Sequence, residues 1–314
     1  MDYLLGIDIG TYGSKVTVGG ADGSIVYEAA VEHELSIPRA GWAEHDAENV
    51  WWHDFRRLCA LVFDQGNISP ERIRAVSVSA IAPCVVPTDA AGTPLRPAIL
   101  YGVDTRSVEE IAELTETLGT QWLLDHAGCH LSTQSAGPKI SWLRKHEPEV
   151  WNRTQRIMTS TSFLCFRLTG NNVIDNYTAA FYAPLYDLRT QQWSETAAKQ
   201  ICSPELLPEP RWTTEVAGRV TRDAARETGL REGTPVAVGT ADAAAEAVSA
   251  GVSRPGELML MHGSSLFLIS ISSTLPQGGV FWAAPFLFPG SYALAGGMAT
   301  TGAITQWFRQ HFTA

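Results

Sequence analysis

The segment of residues 4–18, LLGIDIGTYGSKVTV, constrains the fold more than any other part of this 314-residue sequence. Two apolar runs flank a short turn that is rich in glycine. The first run carries the carboxylate of Asp8 near its end, and the second begins at Lys15. Apolar runs around such a turn predict a hairpin with strands over residues 4–9 and 15–18. The acidic side chain at the end of the first strand is the feature that needs an explanation.

The chemistry of this turn allows two interpretations. Backbone N–H groups that converge at Gly10 bind phosphate oxygens, and Thr11 adds a hydroxyl donor. Lys15 would add a positive charge, while Asp8 is suited to hold Mg²⁺ through its waters. The alternative is a plain hairpin with a surface acid and a surface lysine. The segment alone leaves both open, because glycine turns are the ordinary connection between strands.

The rest of the chain predicts an α/β fold, because strands and helices alternate along it. Asp46 is a suitable N-cap for a helix in which apolar residues recur at helical spacing between residues 50 and 62. Further strands are predicted over 25–31, 73–79 and 85–86, and further helices over 107–118, 139–146, 162–168 and 194–201.

Near residue 235 the opening pattern starts again. A strand over 235–238, a Gly239-Thr240 turn and an alanine-rich helix are followed by PGELMLMHGSS, in which Gly263-Ser264 repeats Gly10-Thr11. The repeat has two interpretations, an internal duplication or two hairpins that are similar by accident, and this short match alone leaves both open.

Asp242, in GTADAAAEA, is the second acidic residue of interest. Either Thr240 or Asp242 would cap the following helix, which is a sufficient structural reason for both. The functional hypothesis is that Asp242 faces a cleft between two domains and acts as general base for a substrate hydroxyl. A helix N-terminus is expected to keep that carboxylate ionised. Glu246, four residues later, is expected to be a solvated helix residue.

Composition excludes several functions. The formal charge is −10 and no Lys/Arg-rich run occurs, which argues against nucleic-acid binding. Five scattered cysteines predict reduced thiols in a cytoplasmic protein. Residues 258–306 contain no charged side chain, yet prolines and glycines interrupt them, so a buried sheet is predicted rather than a membrane span.

Several common motifs are also missing. The sequence contains no GxxxxGK[ST] and no GxGxxG, so a P-loop or dinucleotide fold lacks its glycines. Without HExxH or GxSxG, a zinc site or a hydrolase triad has no anchor. Any bound phosphate is therefore expected between hairpins.

Seven segments together resemble the FGGY carbohydrate kinases, the xylulokinase and glycerol kinase group of the actin/hexokinase-like superfamily. In order along the chain they are GIDIGTYGSK, GWAEHDAENVWW, LRPAILYGVDTR, PKISWLRKHEPEVW, VAVGTADAAAEAVSAGV, PGELMLMHGSS and TTGAITQWF. The likeness extends over the whole chain, and its specificity comes from the combination of the segments.

This resemblance implies an α/β, ribonuclease H-like domain that is duplicated, with the second domain incomplete. The first, sugar-binding domain would cover 1–244, and 245–314 would begin the nucleotide-binding domain. The implied activity is transfer of the γ-phosphate of ATP, with Mg²⁺, to a hydroxyl of a sugar or polyol. Asp8 would be the metal-associated carboxylate and Asp242 the catalytic base. The implied nucleotide-binding residues are Gly10, Thr11, Tyr12, Lys15, Gly263, Ser264, Ser265, Gly302 and Gln306.

The sequence departs from the family pattern where the sugar should bind. Ala82-Pro83 stands where xylulokinases have Met-His and glycerol kinases Arg-Glu, and Ala243 replaces an amide after the base. The usual aromatic position is Tyr101, with Asp104 close behind it. These positions and Asp242 are the predicted substrate contacts. Because alanine and proline offer no side-chain hydrogen bonds, neither xylulose nor glycerol is expected to be the substrate.

The resemblance also implies a longer protein whose adenosine-binding loop is not in this sequence, so we expect a fragment. The predicted partners are a small-molecule sugar or polyol and ATP, with no nucleic acid and no membrane, and a homodimer is a candidate assembly. Two other functions stay open: a non-catalytic sugar-binding or regulatory fragment, and a sugar-independent ATPase of the same superfold.

Overall fold

The computed structural model describes residues 2–263, 266–276, 279, 281–298 and 301–312, without the side chains of Ala303 and Gln306. The strands are β1 Tyr3–Ile9, β2 Gly13–Gly20, β3 Ile25–Glu32, β4 Glu44–His45, β5 Ile73–Ala80, β6 Val86–Thr88, β7 Ala98–Ile99, β8 Arg156–Met158, β9 Val173–Asp175, β10 Tyr186–Asp187, β11 Gln192–Trp193, β12 Glu209–Arg211, β13 Val216–Arg219, β14 Pro235–Ala237, β15 Thr240–Ala241, β16 Leu258–His262, β17 Leu266–Ser272, β18 Trp282–Pro285 and β19 Tyr292–Met298.

The α-helices are α1 His53–Asp64, α2 Val108–Leu118, α3 Thr120–Ala127, α4 Ala136–His146, α5 Pro148–Arg153, α6 Ser160–Thr169, α7 Asn176–Ala180, α8 Glu195–Ala198, α9 Arg222–Thr228, α10 Asp242–Ser249 and α11 Gly302–Phe312. A π-helical turn, Ala47–Trp52, leads into α1, and short 3₁₀ turns occur at Pro70–Arg72 and Pro204–Leu206. Alternating strands and helices confirm the predicted α/β class, although the helix predicted over 194–201 is reduced to α8.

The first large sheet has the order β13-β14-β5-β1-β2-β3, and β15 also pairs with β5. β1, β2 and β3 form an antiparallel meander, whereas β5 runs parallel to β1. Leu5, Ile7 and Ile9 alternate along β1 and are buried, because successive side chains of a strand point to opposite faces. The same alternation puts Asp8 on the other face of the sheet, so the predicted hairpin also fixes the side of the acid.

The helix that begins after Asp46 has the predicted cap. The Asp46 carboxylate accepts hydrogen bonds from the backbone N–H groups of Glu48 and Asn49, at 3.0 and 2.9 Å. These bonds satisfy amides that a helix start leaves without partners. α1 then packs on β1, β2 and β3.

The uncharged segment after residue 258 forms a second sheet, as predicted. Its order is β16-β17-β19-β18 and every neighbouring pair is antiparallel. Ile269 and Ala295 are buried against the first unit, the part of the chain that precedes this sheet. At this contact the rings of Tyr177 of α7 and Phe286 have centroids 6.2 Å apart. Its outer side is not buried as predicted: Leu258 and Leu260 are 56% and 57% exposed. In the part of the chain that the structure describes, no helix has the length and apolar character needed to span a bilayer.

The five cysteines are all free and buried, which confirms that they form no disulfide framework. α10 is continuous across residue 244, so the predicted domain boundary would divide a helix. We propose instead that the two units meet after Ser249.

Candidate active site

Three parallel strands end side by side at one edge of the first sheet. In the register, Ser79 of β5 lies opposite both Asp8 of β1 and Thr240 of β15. Asp242 follows two residues after Thr240. Ligands of open α/β sheets bind beyond the carboxyl ends of such strands, so this edge is the natural place for a site.

Asp8 is held at this edge by its neighbouring strand. Its Oδ1 accepts a hydrogen bond of 2.7 Å from the Ser79 hydroxyl. Burial raises the pKa of Asp8, and the Ser79 bond and the charge of Lys15 lower it only in part. Lys15 pairs with Asp8 across β1 and β2 and is exposed. The site therefore contains a partly desolvated acid with one nearby cation.

Asp242 is the first residue of α10, and its Oδ1 accepts from the backbone N–H of Ala243 at 2.8 Å. Burial raises its pKa to about 7, and the charges of Asp8 and Glu246 add to the increase. The expectation that the helix N-terminus keeps this carboxylate ionised holds only in part, because desolvation opposes the helix dipole and a pKa of about 7 leaves the group about half ionised at pH 7.

Of two other expectations for this helix, the cap at Thr240 is wrong and the exposure of Glu246 is confirmed. Thr240 does not cap it, because its hydroxyl donates to Asp175 Oδ2 at 2.9 Å, and Ala241 occupies the N-cap without a side-chain bond. Glu246 is exposed but lines the cleft, where burial and the charge of Asp8 raise its pKa. One turn of α10 therefore directs Asp242 and Glu246 to the same cleft.

The glycine turn between β1 and β2 is closed by a bond from Gly10 N to Gly13 O at 2.9 Å. A Cβ at Gly10 would lie 2.8 Å from that oxygen, so the turn requires glycine there. Thr11 Oγ1 lies 2.9 Å from Tyr101 OH, which joins the turn to the wall of the cleft. Tyr12 is 66% exposed at the tip.

A buried polar network supports this turn. His33 Nε2 lies 3.1 Å from Gly10 O, and His33 Nδ1 lies 2.8 Å from Asp54 Oδ2. The Ser14 hydroxyl donates to the same oxygen at 2.8 Å. Burial raises the pKa of Asp54, but the bonds from His33 and Ser14 more than offset this and the pKa is lowered. Sequence analysis missed this network, because no motif links residues 14, 33 and 54.

A cleft of about 580 Å³ lies between the strand ends and the second sheet. Of the predicted substrate contacts, Ala82, Tyr101 and Asp242 line it, as does Ala243. Residues that the sequence analysis did not identify provide most of the remaining wall: Gly102, Val103, Ser132, Thr133, Gln134, Glu246, Met261, Leu266, Phe267, Trp282, Gly297 and Met298.

Pro83 and Asp104 are not among the residues that line this cleft. Pro83 is buried. Asp104 is fully buried, accepts from Ala43 N at 2.7 Å and pairs with Arg106 at 2.7 Å. The predicted substrate contact at Asp104 is therefore wrong, because both of its oxygens are already used to hold the neighbouring loop together.

The second glycine turn is described only in part. Gly263 follows β16, and its carbonyl accepts from Gly302 N at 3.1 Å. The structure thus brings together Gly263 and the start of α11, both predicted to contact the nucleotide. The predicted residues Ser264 and Ser265 and the side chain of Gln306 lie outside the described residues.

Comparison with known proteins gives the class. Residues 3–249 match the model of the FGGY family of carbohydrate kinases, N-terminal domain. The chain is 31% identical to glycerol kinase of Nocardia farcinica over 98% of its own length and 62% of that protein's. It is 25% identical to xylulose kinase of Staphylococcus xylosus, of which it covers 65%.

Solved structures agree. Xylulose kinase of Rhodospirillum rubrum superposes with a TM-score of 0.92 at 31% identity, over 98% of this chain and 63% of that one. Glycerol kinase of Plasmodium falciparum with ADP gives 0.89 at 22% identity, over 99% and 63%, and shows the fold alone. The chain belongs to the FGGY family of carbohydrate kinases and has the predicted actin/hexokinase-like fold. It spans less than two thirds of the length of these relatives.

Proposed function

We propose that the protein transfers the γ-phosphate of ATP to a hydroxyl group of a sugar or polyol, with Asp242 as general base. The observation that carries this proposal is the placement of Asp242. It lines the cleft, within electrostatic range of Asp8 and beside the edge where the glycine turn begins. Family membership and the curated glycerol and xylulose kinases among its relatives support the reaction class.

Asp242 suits the role of base. A group with a pKa of about 7 exchanges protons near neutral pH, and a base is most efficient when its pKa is close to the working pH. Phosphoryl transfer has a loose transition state in which the hydroxyl proton leaves late. Asp242 would therefore orient the substrate hydroxyl and take its proton as the new P–O bond forms and the bond to ADP breaks.

The first hairpin would hold the phosphates of ATP. Backbone N–H groups of the turn, the hydroxyl of Thr11 and the ammonium of Lys15 are the donors that a polyphosphate requires. Gly263 and Gly302 would approach the nucleotide from the second unit. Glycerol kinase of Plasmodium falciparum, which has the same fold, was crystallised with ADP, which supports a nucleotide as a ligand of this fold.

The acids of the cleft suit a divalent cation. The charge of Asp8 raises the pKa of both Asp242 and Glu246, so a cation near Asp8 would relieve this repulsion. Among the described residues no three acidic, histidine or cysteine side chains form a metal site by themselves. Mg²⁺ is commonly held by one or two carboxylates together with phosphates, and Asp8 would be the protein's share. When bound, Mg²⁺ would neutralise charge on the phosphates.

The test is a sugar-dependent assay of ADP release in Mg²⁺ and ATP, made on the protein and on Asp242→Asn. We expect turnover to fall about 10³-fold, within the range typical of a lost general base, while sugar affinity measured by calorimetry is retained. Asp223→Asn, on the exposed surface of α9, is the matched control and should retain full turnover.

Near-normal turnover in Asp242→Asn would remove the base assignment. ATP hydrolysis that no sugar stimulates would favour an ATPase instead. Sugar binding without any ATP turnover would favour a binding or regulatory role. A cytoplasmic location and a homodimer stay predictions.

A further inference from the structure

We infer that the substrate is an uncharged polyol or sugar with an apolar edge, a deoxy or methyl-bearing carbon, close to the hydroxyl that is phosphorylated. This inference rests on the proposed function, since it concerns the alcohol that Asp242 would activate. The walls of the cleft provide three independent arguments: their charge, the side chains beside Asp242 and the character of the remaining wall.

The charge of the cleft argues against an acidic substrate. Among the described residues that line it, the charged side chains are Asp242 and Glu246, both acids. Asp8 adds a third negative group, since its charge acts on both of them. A sugar carboxylate or phosphate at this place would lie beside acids that outnumber the one nearby cation, Lys15, which disfavours binding.

Two cations behind the same wall are already engaged. The Lys139 ammonium donates to the carbonyl of Thr133, a wall residue, and is fully buried. The Arg106 guanidinium is also buried and is paired with Asp104 and Glu44, 2.7 and 2.8 Å away. Because breaking a buried ion pair is costly, Arg106 is not available to an acidic ligand, and the ammonium of Lys139 already donates to the backbone of the wall.

The residues beside Asp242 are apolar. Ala243 follows Asp242 directly, and Ala82 lies two residues after Ala80, which pairs with Ala241 in the sheet. Both line the cleft, and neither side chain can form a hydrogen bond. A substrate hydroxyl pressed against these methyl groups would lose its water without gaining a partner, whereas a CH₂ or CH₃ group loses nothing.

Tyr101, Ser132 and Gln134 bring uncharged polar groups to the wall of the cleft. Gln134 Oε1 accepts from Gly102 N at 2.9 Å, which fixes the side chain and leaves its NH₂ group as a donor. Tyr101 OH and Ser132 also line this part of the cleft. On the side of the second unit, Trp282 and Phe267 offer apolar surface for C–H groups of a substrate. The cleft thus offers hydrogen-bonding groups for hydroxyls together with apolar surface for hydrocarbon.

The experiment measures binding by calorimetry and phosphorylation by ADP release with two matched pairs of probes. Sorbitol and gluconate differ by a terminal hydroxymethyl group against a carboxylate. Galactitol and fucitol differ by one terminal hydroxyl. We expect gluconate to bind at least 30-fold more weakly than sorbitol, and fucitol to bind at least 5-fold more tightly than galactitol.

Two variants test the causes separately. Glu246→Gln removes one negative charge and should reduce the discrimination against gluconate at least threefold. Ala243→Gln supplies an amide beside the base and should reverse the preference between fucitol and galactitol. Ala243→Ser adds a single hydroxyl in little extra volume and should shift the same ratio in the same direction. This smaller variant keeps the test usable if Ala243→Gln misfolds. Asp223→Asn on the surface should change neither ratio.

Failure of this inference differs from failure of the proposed function. If the protein phosphorylates gluconate in preference to sorbitol, or galactitol in preference to fucitol, the inferred substrate class is wrong and the proposed kinase function stands. If the protein binds fucitol more tightly than galactitol and sorbitol more tightly than gluconate but phosphorylates none of them, the substrate class is supported. The proposed kinase function is then wrong. If none of the four probes binds, the inferred class is wrong.

Discussion

The two glycine hairpins share a sequence pattern but differ in what lies beneath them. In the first, the residue two places before the turn glycine is Asp8, and His33 and Asp54 support the turn with side chains only 6% and 5% exposed. In the second, the corresponding residue is Met261, which is 42% exposed, and Leu260 beside it is 57% exposed. The two hairpins therefore share a glycine pattern, whereas among the described residues the acid and its buried support occur in the first hairpin.

This difference predicts that the chemistry depends on the first hairpin. We propose a rigid turn, fixed by buried hydrogen bonds, that would receive the phosphates next to the acids. The second hairpin contributes apolar wall through Met261 and Leu266. Changes at the acid, at the support of the first turn and on the outer face of the second sheet should have unequal effects, and they follow in order of size.

The largest effect is expected at the acid. Asp8→Asn should lower turnover by about 10²- to 10³-fold, because it removes the carboxylate proposed to hold Mg²⁺. Met261→Leu, at the matched position of the second hairpin, conserves volume and should cost less than tenfold. Steady-state kinetics at saturating ATP measures both. Equal losses in the two variants would contradict the asymmetry.

Asp8→Asn also tests the pKa of Asp242, through the pH profile of kcat/KM. Asp242 has to be ionised to accept a proton, so in the wild type activity should fall tenfold per pH unit below a pH of about 7. The charge of Asp8 raises this pKa, so its removal should lower it. The acid limb of the residual Asp8→Asn activity should therefore move to lower pH. A limb that stays in place would show that another group sets it.

The second effect concerns the support of the turn. The carboxylate of Asp54 accepts hydrogen bonds from both His33 and Ser14. Asp54→Asn replaces it by an amide, which cannot accept from both side chains as the carboxylate does. We expect the free energy of unfolding to fall by about 1–3 kcal/mol, the usual penalty for unpaired buried polar groups. The KM for ATP should rise several-fold while the affinity for the sugar is unchanged.

Denaturant unfolding and separate KM measurements provide these readouts. Asp64→Asn, an exposed acid at the end of the same helix, is the control and should change neither quantity. If the KM values for ATP and sugar rise together in Asp54→Asn, the network has a general structural role and does not position the turn.

The smallest effect is expected on the outer face of the second sheet. Leu260→Ser should change the free energy of unfolding by less than about 0.5 kcal/mol, because this side chain is more than half exposed. Ile269→Val on β17 removes one methyl from the buried face and should cost about 1 kcal/mol. Thermal unfolding of the two variants compares the faces directly. A larger loss for Leu260→Ser would mean that its face is covered in solution.

The sequence by itself determined the local elements. The first hairpin, the cap at Asp46 and the sheet nature of the uncharged segment all followed from residues close together along the chain. These features depend on strand and helix periodicity, on turn glycines and on hydrogen bonds that span three or four residues.

Only the tertiary structure decided the chemistry of the site. Asp8 and Asp242 are 234 residues apart, and strand register through β5 brings them to one edge. Asp104 fitted a substrate contact by position, yet Arg106 and Ala43 occupy its oxygens. The raised pKa of Asp242 could not be predicted, because a pKa depends on desolvation and on charges brought close by folding. Such long-range contacts leave no periodic trace in the sequence.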